Sequence, residues 1–86
     1  MTCEEAAVLI EAEGRLGAGK YFGEDGCRCV IAVLEDMTTG YKRRRYIGWM
    51  PGIKLVQAQY ANDAFEGTPE ERCVYMATWF RRGGKA

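Results

Sequence analysis

Cys27 to Met50, CRCVIAVLEDMTTGYKRRRYIGWM, decides the fold, because it joins the densest β-branched and aromatic run of the chain to its densest positive charge. Cys27, Cys29, Ile31 and Val33 alternate with Arg28, Val30, Ala32 and Leu34, so both faces are apolar after the first residues, as in a central strand. Asp36 to Gly40 supply the small polar residues and the glycine that a short turn requires, and Tyr41 to Met50 resumes with strand-favouring Tyr, Ile and Trp. The pattern predicts a β-hairpin. A helix competes for the same residues, since Val30, Val33, Leu34 and Met37 also fit the spacing i, i+3, i+4, i+7. The β-branched content and the flanking glycines favour the strand.

Outward from this stretch, Lys20 to Gly23 reads as a short first strand, with Glu24-Asp25-Gly26 as the turn into the hairpin. Three short local connections then make a three-stranded antiparallel β-meander. Ahead of it, Thr2 to Glu13 reads as a helix. Thr2 and Glu5 have the spacing of a reciprocal capping box, Ala6, Leu9, Ile10 and Leu16 give an apolar stripe, and Gly14 supplies the left-handed residue that ends it. After Pro51-Gly52, residues Ile53, Val56, Tyr60 and Ala64 recur at helical spacing through Gly52 to Phe65, with Lys54, Gln57 and Gln59 on the outer side. Thr68-Pro69-Glu70-Glu71 caps a further helix whose inner stripe is Cys73, Met76, Ala77 and Phe80, flanked by Val74 and Trp79 and stopped by Gly83-Gly84. The expected fold class is therefore α+β, with an N-terminal helix, a three-stranded antiparallel β-meander and two C-terminal helices in one domain over residues 1–86.

A chain of 86 residues lies near the lower end of what a single core stabilises, and 48% hydrophobic with 28% charged residues is a globular composition. The formal charge is zero but divided: residues 1–40 carry eight acids against three bases, and residues 41–86 carry nine bases against four acids. The two halves attract each other, or present a dipolar surface to a charged partner. The first residues carry no basic leader and the run Cys29 to Leu34 is far too short to span a bilayer, so a cytoplasmic protein with no membrane partner is expected.

Gly14 to Lys20 matches the glycine and lysine spacing of a phosphate-binding loop. The residue that follows is Tyr21 where Ser or Thr would hold magnesium, and a helix precedes the motif where a strand should, so it reads as a turn. Cys3, Cys27, Cys29 and Cys73 lack a CxxC knuckle and the chain contains no histidine, which points to buried reduced thiols with no metal. Serine is absent as well, removing the commonest general base and the commonest hydroxyl nucleophile together. Neither enzymatic activity nor a cofactor is expected.

Lys42, Arg43, Arg44 and Arg45, with Tyr46 and Trp49, form the one constellation with a binding chemistry of its own, because guanidinium groups fork onto carboxylate or phosphate and aromatics offer stacking surfaces. Glu35 and Asp36 can neutralise part of this patch across the hairpin. A protein partner is preferred to nucleic acid, because a net charge of zero suits phosphate contacts poorly. No family is recognised in these residues. A small domain without catalytic groups suits an inhibitor or adaptor role, by analogy of size and type with phage and mobile-element accessory proteins, including those that block host defence.

Overall fold

The computed structural model describes residues 2–19, 26–34 and 53–85, and four helices account for most of them: α1 (Cys3–Glu13), α2 (Val30–Leu34), α3 (Leu55–Ala64) and α4 (Pro69–Arg81). None of them is long and apolar enough to cross a membrane.

Helix α1 starts at the expected cap. Glu5 N–H donates to Thr2 Oγ1 at 3.0 Å, while Thr2 N–H donates to Glu5 Oε1 at 2.7 Å, which satisfies two otherwise orphaned amides. The helix ends where Gly14 turns left-handed at φ 81° and returns its N–H to the Ile10 carbonyl. Helix α4 uses the same device at its start, with Thr68 and Glu71 exchanging hydrogen bonds of 3.1 and 2.8 Å and Pro69 in the first turn, where its missing N–H costs nothing. At its other end Gly83, at φ 73°, donates to the Phe80 carbonyl and Gly84 to that of Trp79, the paired bonds of a Schellman closure.

The core lies mainly between α1 and α4, which make the most extensive helix contact. Ala6, Ala7 and Ile10 of α1 face Cys73, Met76, Ala77 and Phe80 of α4, and the small alanines let the backbones approach closely. The pair runs antiparallel: Leu16 N–H meets the Pro69 carbonyl at one end, and at the other Arg81 forks onto both Glu4 and Glu11 at 2.6 to 3.3 Å. The stripe of α4 is the one expected from the sequence, but it packs on a helix where a sheet was expected.

The α+β assignment and its antiparallel sheet are corrected by α2. Val30 to Leu34, read as the middle of a central strand, forms a helical turn and a half, and no strand is present among the described residues. All five side chains are buried and Val33 N–H donates to the Cys29 carbonyl at 3.0 Å. A run that is apolar on every side fits a fully enclosed helix as well as a central strand. Only the helix satisfies its own amides where neighbouring elements offer no ladder. Tertiary surroundings of helices thus override the β preference of Val and Ile, whose propensity differences are below about 1 kcal/mol per residue. The other expected parts of the meander, Lys20 to Gly23 and Tyr41 to Met50, lie outside the described residues.

Candidate functional site

Helix α3 is the element whose placement departs most from its sequence pattern. Its apolar residues Val56, Tyr60 and Ala64 sit one turn apart and read as the buried stripe. Val56 and Tyr60 are 67% and 75% exposed, and Ala64 is exposed too. The face turned inward is Ala58 and Asn62, both fully buried, with Gln59 and Ala61 half-buried beside them.

Polar anchoring sets this rotation. Asn62 Nδ2 donates to the Gly17 carbonyl at 2.9 Å, and Asp63 Oδ1 accepts the Gly19 N–H at 2.8 Å, tying α3 to the loop after α1. Arg72, buried on α4, donates from Nε to the Asn62 carbonyl at 2.8 Å and from Nη2 to that of Phe65 at 2.7 Å, closing the last turn of α3. Its Nη1 also reaches the Leu16 carbonyl at 3.4 Å. Buried carbonyls left without donors cost about 1 to 3 kcal/mol each, comparable to burying a valine side chain, so the polar face is retained inside at the expense of the apolar one. Asn62 Oδ1 is buried without a partner among the described residues.

Partial burial pushes the Asp63 carboxyl upward, but the Gly19, Asn62 and Gln59 hydrogen bonds and the Arg72 charge outweigh it and hold the pKa below the usual value. The glycine loop that resembles a phosphate-binding motif therefore already spends an amide on a carboxylate. Gly17 N–H is likewise taken by the Arg28 carbonyl and Leu16 N–H by that of Pro69.

The outward rotation of α3 opens a cleft of about 520 Å³ between α3 and α4, with Val56, Tyr60, Ala61 and Ala64 on one side and Tyr75 and Trp79 on the other. Its aromatic wall is braced from behind. Tyr75 stacks on Phe65 at 4.7 Å between ring centroids, and Trp79 meets Phe80 edge to face at 4.9 Å. Gly84 closes the end nearest the start of α3; at φ 84° with Ile53 beside it, a Cβ there would lie 3.2 Å from the Ile53 side chain. A second, smaller hollow of about 50 Å³ shares Tyr75 and Trp79 and is bordered by Arg82 and Lys85.

The residues expected to bind a partner, Lys42, Arg43, Arg44, Arg45, Tyr46 and Trp49, lie outside the described residues, as do Glu35 and Asp36. Of the cysteines, Cys27, Cys29 and Cys73 are buried, Cys3 is half-buried and all four are free. Burial raises the thiol pKa of Cys29 and Cys73, and Cys73 Sγ donates to the Ile10 carbonyl at 3.1 Å, so both are protonated packing groups. No group of three or more Cys, Asp or Glu side chains among the described residues is arranged to hold a metal ion. What the cleft offers is apolar and aromatic surface at a helix pair.

Comparison with protein-family models, with curated proteins and with solved structures finds no match for this chain.

Proposed function

We propose that the chain is a non-enzymatic protein-binding domain that receives its partner along α3, in the cleft faced by Tyr75 and Trp79. The observation that carries this reading is the exposure of Val56 and Tyr60, 67% and 75%, beside an aromatic wall. An amphipathic stripe at i, i+4 left outside the core, next to a groove, has the form of a helix-in-groove or helix-face interface. Buried Tyr and Trp with apolar neighbours are the usual energetic anchors of such interfaces. The segment Lys42 to Arg45 with Tyr46 and Trp49 supplies further contacts in this reading, as steering charges and aromatic anchors. The role is that of an inhibitor or adaptor, by analogy with small phage and mobile-element accessory proteins. It acts in the cytoplasm, whose reducing conditions suit four free thiols.

The test is affinity capture from the cells that express the chain, with wild type and Tyr60→Asp in parallel, followed by binding measurements on the purified captured protein. A purified protein that binds wild type and loses at least tenfold in affinity for Tyr60→Asp, a loss of about 1.4 kcal/mol, supports the proposal. Recovery of nucleic acid alone, or a partner indifferent to Tyr60→Asp, contradicts it.

A further inference from the structure

Most charges of the described residues are already spent. Glu70 pairs with Arg15, Glu13 with Arg28, and Glu4 and Glu11 with Arg81. Glu5 and Glu71 complete helix caps, and Asp63 accepts from Gly19 and Gln59. Arg72 is committed to carbonyls. Lys54, Arg82 and Lys85 are different: all three are exposed and have no carboxylate partner among the described residues.

Two of these bases border the hollow next to the cleft, and the third adjoins the cleft's Gly84 end through its chain neighbour Ile53. Lys54 directly precedes α3 and follows Ile53, against which Gly84 is set; Lys85 follows Gly84; Arg82 and Lys85 border the small hollow that shares Tyr75 and Trp79 with the cleft. The groove is thus mainly apolar, with uncommitted positive charge beside the end that Gly84 closes. Among the described residues the opposite end has no equivalent surplus, because Asp63, Glu70 and Glu71 are engaged there and Glu66 alone has no basic partner.

On these grounds, and resting on the protein-binding reading above, we infer that the cleft takes an acidic amphipathic helix, whose apolar stripe lies against Val56, Tyr60, Tyr75 and Trp79 and whose carboxylates meet Lys54, Arg82 and Lys85. A second copy of the chain fits less well. Its own α3 offers an apolar stripe, but among the described residues one uncommitted acid against three uncommitted bases leaves the charge unbalanced. Nucleic acid fits less well again, since the bases border an apolar groove and do not track a backbone-length stripe.

The experiment is selection of random helical peptides of roughly four turns, displayed as a library, against the purified full-length chain, with sedimentation of the chain itself alongside. Expected is enrichment of peptides with apolar residues at i, i+3/i+4, i+7 and Asp or Glu clustered toward one end. The enrichment disappears with Val56→Asp and Tyr60→Asp. With Arg82→Glu/Lys85→Glu the acid preference is lost while the apolar pattern persists. Synthetic versions should bind wild type at least tenfold more tightly than versions with Lys in place of the acids. Enriched peptides that depend on Tyr60 but are neutral or basic overturn the acidic-partner inference and leave the protein-binding reading standing. Absence of any Tyr60-dependent peptide overturns both. A dimer that forms at micromolar concentration and dissolves with Tyr60→Asp also overturns the inference, because the cleft is then filled by the chain itself.

Discussion

The guanidinium of Arg72 donates to the backbone carbonyl of Asn62 at 2.8 Å, so the only arginine buried among the described residues completes a helix other than its own. Through Nη2 it also holds the Phe65 carbonyl, and the Phe65 ring lies 5.7 Å from its central carbon. This one side chain fixes the end of α3, the position of the ring behind Tyr75, and with them the wall of the cleft. Arg72→Ala leaves two or three buried carbonyls without donors and should cost about 3 kcal/mol, measured by equilibrium urea unfolding. Arg72→Lys should recover less than half of that, because an ammonium cannot span the separated carbonyls that the planar fork reaches. A loss below about 1 kcal/mol for Arg72→Ala would show that α3 is held by packing alone.

Phe80 is fully buried between α1 and α4. Phe80→Ala should cost about 3 to 5 kcal/mol through lost burial and the cavity left behind. Because Phe80 also braces Trp79 edge to face, the same variant should broaden the Trp79 side-chain resonances in NMR spectra. Stability close to wild type would mean that the contact between α1 and α4 is not the core.

Acid should weaken the same contact and the anchoring of α3 to the loop after α1. Hydrogen bonds from Arg81 lower the pKa of Glu4 and of Glu11, and those to Asp63, set against its partial burial, lower its pKa as well. A carboxylate whose folded pKa is depressed contributes fully above its unfolded value, about 4. The contribution is lost as pH falls through the lower folded value, since the unfolded chain binds more protons there. The urea midpoint should therefore decline from about pH 4.5 downward, and Glu4→Gln/Glu11→Gln should flatten that decline while Glu66→Gln leaves it unchanged. Parallel pH profiles for wild type and the double variant would remove Arg81 from the account of the contact between α1 and α4.

Local chemistry made the helix ends legible in the sequence. Thr2 with Glu5, Thr68 with Glu71, Gly14 and Gly83 all act where their spacing places them, because caps are settled by a few adjacent atoms. The inner stripe of α4 was legible for the related reason that Cys73, Met76, Ala77 and Phe80 offer one apolar face with no competitor.

Val30 to Leu34 was not legible, because five apolar residues carry no period that separates an enclosed helix from a central strand, and the arbiter is the identity of their neighbours. The face of α3 was misread for a different reason. Val56, Tyr60 and Ala64 together outscore Ala58 and Asn62 in hydropathy, yet Asn62 is held inward by the bond it donates to the Gly17 carbonyl and the one its own carbonyl accepts from Arg72, 45 and 10 residues away. Asn62 followed by Asp63, polar residues in the last turn of the helix, was the available signal. Arg72 gave a similar one: it sits directly beside the inner stripe of α4, where an arginine needs buried acceptors.

The most direct measurement of the central claim, that α3 keeps its apolar stripe outside the core, is the urea unfolding of Val56→Asp/Tyr60→Asp beside wild type. Substitutions at exposed positions away from caps and networks change stability by about 0.5 kcal/mol or less, so the double variant should unfold within about 1 kcal/mol of wild type with the same slope. A loss of about 4 kcal/mol or more, the scale expected for charges forced into a core, would show that Val56 and Tyr60 are buried and that the cleft between α3 and α4 does not exist.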